Sequence, residues 1–128
     1  MAYTFSFIGT GNMGGALARA AVRSLPPREV LLSNRTAAKA EKLAAELGCA
    51  WGDAAQAARE GRYIFLGVKP QMMEGLLGEI APILAQREDR FVLVSMAAGL
   101  TMARIAGMAG GAYPVIRIMP NTPCAVGE

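Results

Sequence analysis

Gly9-Thr10-Gly11-Asn12-Met13-Gly14 follows the apolar run Thr4 to Ile8 and opens a helical pattern, and this order of strand, glycines and helix decides how the chain folds. Each glycine has its own task in such a loop. Gly9 permits a tight turn, Gly11 lets a pyrophosphate approach the backbone, and Gly14 lets helix and sheet pack closely. Amides at the start of the helix then face the phosphates, where the dipole favours negative charge. The bare spacing is common, and a Gly-rich turn without a ligand would also fit it. Its place directly after a strand and before a helix points to dinucleotide binding by residues 9–14.

Outward from this loop, apolar runs of strand length alternate with helical patterns, the signature of βαβ units around a parallel sheet. Strands are expected at Thr4 to Ile8, Val30 to Ser33, Cys49 to Trp51, Tyr63 to Val68, Phe91 to Ser95 and Val115 to Ile118. Between them, Met13, Leu17, Ala20 and Ala21 recur on one helical face. Ala40, Leu43, Ala44 and Leu47 do so on a second, which Gly48 should terminate. Thr36 and Thr101 suit helix N-caps. Met73, Leu76, Leu77, Ile80 and Leu84 make a third apolar face, and Pro82 inside it should kink or split that helix. The expected architecture is α/β: a Rossmann-type, doubly wound parallel sheet of about six strands with helices on both faces, one domain over residues 1–128.

Composition supports this and excludes other classes. The chain has 128 residues, 53% hydrophobic and 18% charged, enough apolar material for one core. A net charge of +3 without a basic run or interleaved aromatics argues against nucleic acid and suits an anionic small molecule. Cys49 and Cys124 are isolated thiols and there is no His, so a zinc site of the usual composition is excluded; no metal is expected. The opening MAYTFSFIG enters a strand at once, and no apolar run reaches the ~18 residues of a membrane span. A soluble, cytoplasmic protein with reduced thiols is expected.

The end of the second strand selects the cofactor. An Asp or Glu there would bind a ribose 2′-hydroxyl, but the chain reads Ser33-Asn34-Arg35-Thr36. Asn34 can donate a hydrogen bond to a 2′-phosphate, Arg35 offers a planar cationic fork, and Lys39 adds charge one turn into the helix. NADP(H) is therefore expected ahead of NAD(H). Gly67-Val68-Lys69-Pro70 lies at the carboxyl edge of the sheet, where open α/β proteins bind ligands. Ser95-Met96-Ala97-Ala98-Gly99 is a second strand tip, with room for a flat ring. In the third, Met119-Pro120-Asn121-Thr122-Pro123, two prolines hold a polar pair in an extended loop.

Taken together, FIGTGNMGGAL (7–17), SNRT (33–36), FLGVKP (65–70), VSMAAGLT (94–101) and VIRIMPNTP (115–123) resemble successive landmarks of pyrroline-5-carboxylate reductases. The segment MPNTP with its preceding VIR is the most specific. The resemblance implies NAD(P)H-dependent reduction of the imine 1-pyrroline-5-carboxylate to proline, in proline biosynthesis. Residue by residue, it places pyrophosphate at Thr10 to Met13 and the adenosine ribose at Asn34 and Arg35. Val68, Lys69 and Pro70 would line the ribose and nicotinamide path, Ala97 and Ala98 would lie near the nicotinamide, and Asn121 would border the hydride-transfer site. The chain departs from the family in two ways. Gly52-Asp53-Ala54-Ala55 lacks the Asn that often follows the third strand. The helical C-terminal domain that forms a homo-oligomer and completes the substrate pocket has no counterpart up to Glu128. These residues alone are thus expected to hold coenzyme without turnover. Competing readings are another NADP-dependent Rossmann reductase, such as a coenzyme F420:NADP oxidoreductase-like or 6-phosphogluconate dehydrogenase-like protein, and a non-catalytic NADP-binding module.

Overall fold

Side chains that alternate along a strand point to opposite faces, and in a sheet covered on both sides each set finds its own helices. The computed structural model describes residues 3–10, 12–96, 101–111 and 113–118, with only the backbone of Asn12 and Met13. Its elements, in order, are β1 (Tyr3–Ile8), α1 (Asn12–Ser24), a 3-10 turn (Pro27–Glu29), β2 (Val30–Ser33), α2 (Ala37–Leu47), β3 (Ala50–Trp51), α3 (Ala54–Glu60), β4 (Gly61–Leu66), α4 (Pro70–Ala85), β5 (Val92–Ser95), α5 (Met102–Ala109) and β6 (Val115–Arg117). Among the described residues these six strands form one sheet, β3-β2-β1-β4-β5-β6, with every pair parallel. The expected doubly wound Rossmann sheet is what the chain builds.

Two apolar layers result. Phe7, Val30, Leu32, Phe65 and Val94 pack with Ala18 and Ala21 of α1 and Ala40 and Ala44 of α2. Phe7 and Phe65 stack with ring centroids 4.5 Å apart. On the opposite face Ile8, Leu31, Ile64, Leu66 and Leu93 meet Met73, Leu77, Ile80 and Leu84 of α4, Ile105 and Ala109 of α5, and Ala57 and Ala58 of α3. The small alanines let α1, α2 and α3 approach the strands closely. Ser6 is a buried polar residue on this second face, and its hydroxyl donates to the Ala57 carbonyl at 2.9 Å.

Several expectations need correction. Ala20 is exposed and Ala18 takes its place on the buried face of α1, one strip of a 3.6-residue period away. Strand β4 pairs from Gly61 through Leu66, so Val68 lies beyond the ladder. Pro82 does not divide α4, which runs from Pro70 to Ala85 as one helix with Pro82 on its exposed side. Thr36 stands at the N-cap position of α2 without a side-chain cap, whereas Thr101 accepts from the Arg104 amide. Gly48 ends α2 in the left-handed conformation, φ 76°. The sequence reading had no helix at 54–60; Asp53 caps it, its carboxylate accepting from the Gln56 amide at 2.8 Å.

At the amino edge of the sheet Arg87 ties three elements together. Its side chain, 4% exposed, donates to the carbonyls of Ala58 (2.8 Å) and Gly61 (2.6 Å), at the junction of α3 and β4. The guanidinium also forks onto Asp89 at 2.8 and 2.6 Å and lies 4.7 Å from the Phe91 ring centroid. Among the described residues no helix is long and apolar enough to cross a membrane.

Candidate nucleotide-binding site

The strand order reverses between β1 and β4, and at such a switch point the loops leaving adjacent strands diverge and open a crevice at the carboxyl edge. Here the two loops touch backbone to backbone. A Cβ on Gly9, whose φ is 96°, would stand 2.7 Å from the Gly67 carbonyl oxygen, and a Cβ on Gly67 would stand 2.7 Å from that of Gly9. A Cβ on Gly14 would overlap the Gly9 carbonyl oxygen, so the first turn of α1 rests directly on the end of β1. The Gly9 amide donates to the Ser33 carbonyl (2.9 Å) and the Gly67 amide to that of Ile8 (2.8 Å), which fixes the tips of β1, β2 and β4 together. Gly9 and Gly14 thus have the structural tasks their spacing suggested; Gly11 lies outside the described residues.

Two clefts flank this junction. One, of about 420 Å³, runs from Gly9 and the β2 tip (Ser33, Asn34, Arg35) to Val68 and the outer stripe of α4, Gln71, Met72, Gly75 and Glu79. Arg35 reaches across it, donating from Nη1 to the Met72 sulfur at 3.8 Å. The other, of about 650 Å³, lies between α1 and α2 and is lined by Thr10, Gly15, Arg19, Asn34, Lys39, Lys42 and Glu46. Asn34 borders both. Lys69 and Pro70 are exposed at the start of α4 and line neither cleft. Ala97, Ala98 and Asn121 lie outside the described residues, as do Cys124 and the remainder of 119–128; of Asn12 and Met13 only the backbone enters.

The chemistry of the walls suits a phosphorylated dinucleotide. The hydroxyl oxygens of Thr10 and Ser33 are buried without a hydrogen-bond partner, one on each cleft. Such groups cost free energy until a ligand satisfies them. Arg35, Lys39 and Lys42 are cations, and no carboxylate stands at the β2 tip. The carboxylate of the larger cleft, Glu46, is held below its ordinary pKa chiefly by its hydrogen bond to Arg19, with a smaller contribution from Lys42. Neutralised in this way, it leaves the cleft cationic.

The sequence reading quoted Ser33 and Gly67 at their strand tips without giving either a role, and it missed Lys42 and the α4 stripe. Ser33 was visible as the polar end of an otherwise apolar VLLS strand. Gln71, Gly75 and Glu79, four apart and opposite the buried face of α4, were a second available signal.

Comparison with known proteins agrees with this geometry. Residues 4–99 match the family described as NADP oxidoreductase, coenzyme F420-dependent. The chain is 35% identical over 127 residues to pyrroline-5-carboxylate reductase of Corynebacterium melassecola, covering 98% of this chain and 47% of that protein. It superposes on a pyrroline-5-carboxylate reductase of Coxiella burnetii with a TM-score of 0.85 at 28% identity, over 98% of this chain and 47% of that one. The pyrroline carboxylate reductase of Plasmodium falciparum, solved with NADP bound, gives 0.77 at 26% identity, over 98% and 45%. The chain therefore spans about half the length of the relatives it matches. It belongs to the NADP oxidoreductase, coenzyme F420-dependent family, as an NADP-binding Rossmann domain of the kind that forms the N-terminal part of pyrroline-5-carboxylate reductases.

Proposed function

We propose that the protein carrying this chain reduces 1-pyrroline-5-carboxylate to L-proline with NADPH, and that these residues hold the coenzyme. The observation that carries the reading is the extent of the likeness: it runs over 98% of the chain and is not confined to a Gly-rich loop that many dehydrogenases share. The bound coenzyme would supply a hydride to the carbon of the C=N bond. This chain's part is to bind and orient. Thr10 and the amides that open α1 suit the pyrophosphate, and Asn34, Arg35 and Lys39 the adenosine ribose with its 2′-phosphate. Val68 lines the smaller cleft. By resemblance, Lys69 and Pro70 line the ribose and nicotinamide path with it, Ala97 and Ala98 flank the nicotinamide, and Asn121 borders the reacting atoms. The lack of His in this chain is compatible with that chemistry, since water or a hydroxyl can supply the proton for the imine nitrogen.

A second, helical domain would complete the substrate pocket and make the homo-oligomer. A polypeptide limited to these 128 residues is accordingly expected to bind NADPH but not to turn over substrate, because orienting the imine accounts for a large part of the rate. The family description favours one other reading, hydride exchange with coenzyme F420. Following the loss of reduced nicotinamide absorbance in the full-length protein separates the two. NADPH consumption that depends on pyrroline-5-carboxylate and yields proline is expected. Turnover with coenzyme F420, and none with the imine, would overturn the proposal.

A further inference from the structure

We propose that the Met72 thioether is a modification site: its oxidation by a peroxide to the sulfoxide captures Arg35 and reversibly weakens the hold of this chain on its coenzyme. The inference rests on the reading of the two clefts as a coenzyme site and goes beyond it, to how that site is regulated.

The placement of the sulfur carries it. Met72 lies in the first turn of α4 and is 38% exposed, on the wall of the smaller cleft. Its neighbour Met73 turns into the core and is fully buried. Met102 is exposed as well but lines neither cleft. Among the described methionine side chains, Met72 is thus the one that is both exposed and set in the candidate site. Arg35 supplies the consequence. It stands at the β2 tip, 37 residues away in the chain, and its Nη1 donates to the Met72 sulfur at 3.8 Å. A thioether is a weak acceptor, so this contact leaves the guanidinium available to a ligand. In the oxidation a sulfur lone pair attacks one peroxide oxygen, an S–O bond forms and the O–O bond breaks. The departing oxygen takes up the proton of the transferred one and leaves as water, so sulfur is oxidised and the peroxide reduced. A polar oxygen then stands where a soft apolar atom stood. Arg35 gains a charge-assisted hydrogen bond that the thioether did not offer. Held in this way, it bridges the β2 tip to α4 across the cleft and is withdrawn from the coenzyme.

The test uses the full-length protein and compares each form with itself before and after hydrogen peroxide. Peptide mass spectrometry locates the added oxygen, and fluorescence titration follows NADPH. Wild type should take up oxygen at Met72 and lose roughly tenfold in NADPH affinity, the scale of one charge-assisted contact. Methionine sulfoxide reductase should restore it. Saturating NADP+ should slow oxidation of Met72 and not of Met102. Met72→Leu should keep its own affinity through the treatment, whereas Met102→Leu should lose as much as wild type. Met72→Gln, which fixes an amide oxygen within reach of Arg35, should bind more weakly than Met72→Leu with no peroxide added. A wild type whose NADPH affinity survives oxidation of Met72, or a Met72→Leu variant that loses affinity as wild type does, would overturn the inference and leave the coenzyme reading standing. A wild type that binds no NADPH before treatment would overturn that reading and this inference with it.

Discussion

Gly14 shows how far a single residue is determined. Its missing side chain lets α1 start against the Gly9 carbonyl, and the obstacle to any Cβ there is backbone, which cannot rotate away as a side chain could. Gly14→Ala should push the helix outward from β1, at about 1 to 3 kcal/mol of overpacking strain. It should also displace the amides that would meet the pyrophosphate. The expected outcome is a folded protein of lower denaturation midpoint whose NADPH affinity falls by an order of magnitude or more, read by urea unfolding and coenzyme titration. Equal stability and affinity would remove Gly14 from its assigned role. This residue was legible in the sequence because a glycine's reason for being where it is lies in its own spacing. Lys42 was not, since it acquires meaning only from α1, which the fold sets opposite; Ser33 was visible as a polar strand end, but the outer stripe of α4 that shares its cleft was not.

Among the elements, β2 was read to the residue at Val30–Ser33, because four consecutive residues with buried side chains between polar neighbours leave little choice of boundary. Helix α3 was missed for the opposite reason. Ala57 and Ala58 are its buried residues, and alanine gives no contrast to a search for apolar periodicity; only the Asp53 to Gln56 spacing announced it. Pro82 was overweighted. On an exposed face, late in a 16-residue helix whose buried side is well packed, one lost hydrogen bond does not end the element. The junction of α3, β4 and the approach to β5 depends on Arg87, whose hydrogen bonds hold the Asp89 carboxyl at about 2, below its ordinary 3.8. A carboxyl depressed in the folded state adds stability above its unfolded pKa and loses it as pH falls through the folded one. This contribution is therefore complete above about pH 4 and fades toward pH 2. Asp89 is 40% exposed, so solvent screening limits it to under about 1 kcal/mol. Arg87→Ala should cost more, about 2 to 4 kcal/mol at neutral pH, because it also strands the carbonyls of Ala58 and Gly61. Urea unfolding at pH 7 and pH 3 checks both parts. The gap between wild type and variant should shrink at the lower pH, and a gap that widens there would contradict the assigned sign.

For the molecule as a whole, the two clefts meet at Asn34, and their walls come from α1, α2, α4 and the tips of β1, β2 and β4, elements that belong to both apolar layers. A ligand spanning them would tie the α1–α2 layer to the α4 layer across the end of the sheet. It would bind the folded chain and not the unfolded one, so its binding free energy adds to stability by linkage. At a hundred times its dissociation constant the gain is about 2.7 kcal/mol. For a domain of this size that corresponds to a rise in unfolding midpoint of roughly 10 °C. The same concentration of NADH should give a visibly smaller rise, since it lacks the 2′-phosphate that the cationic cleft would hold. Because the stabilisation follows the logarithm of free ligand, the midpoint should keep climbing as NADPH is raised beyond saturation of the site. Differential scanning of the chain over a hundredfold range of NADPH tests this. A midpoint that does not move with NADPH would show that the two clefts do not together form a coenzyme site, however closely the Gly-rich turn follows the pattern of one.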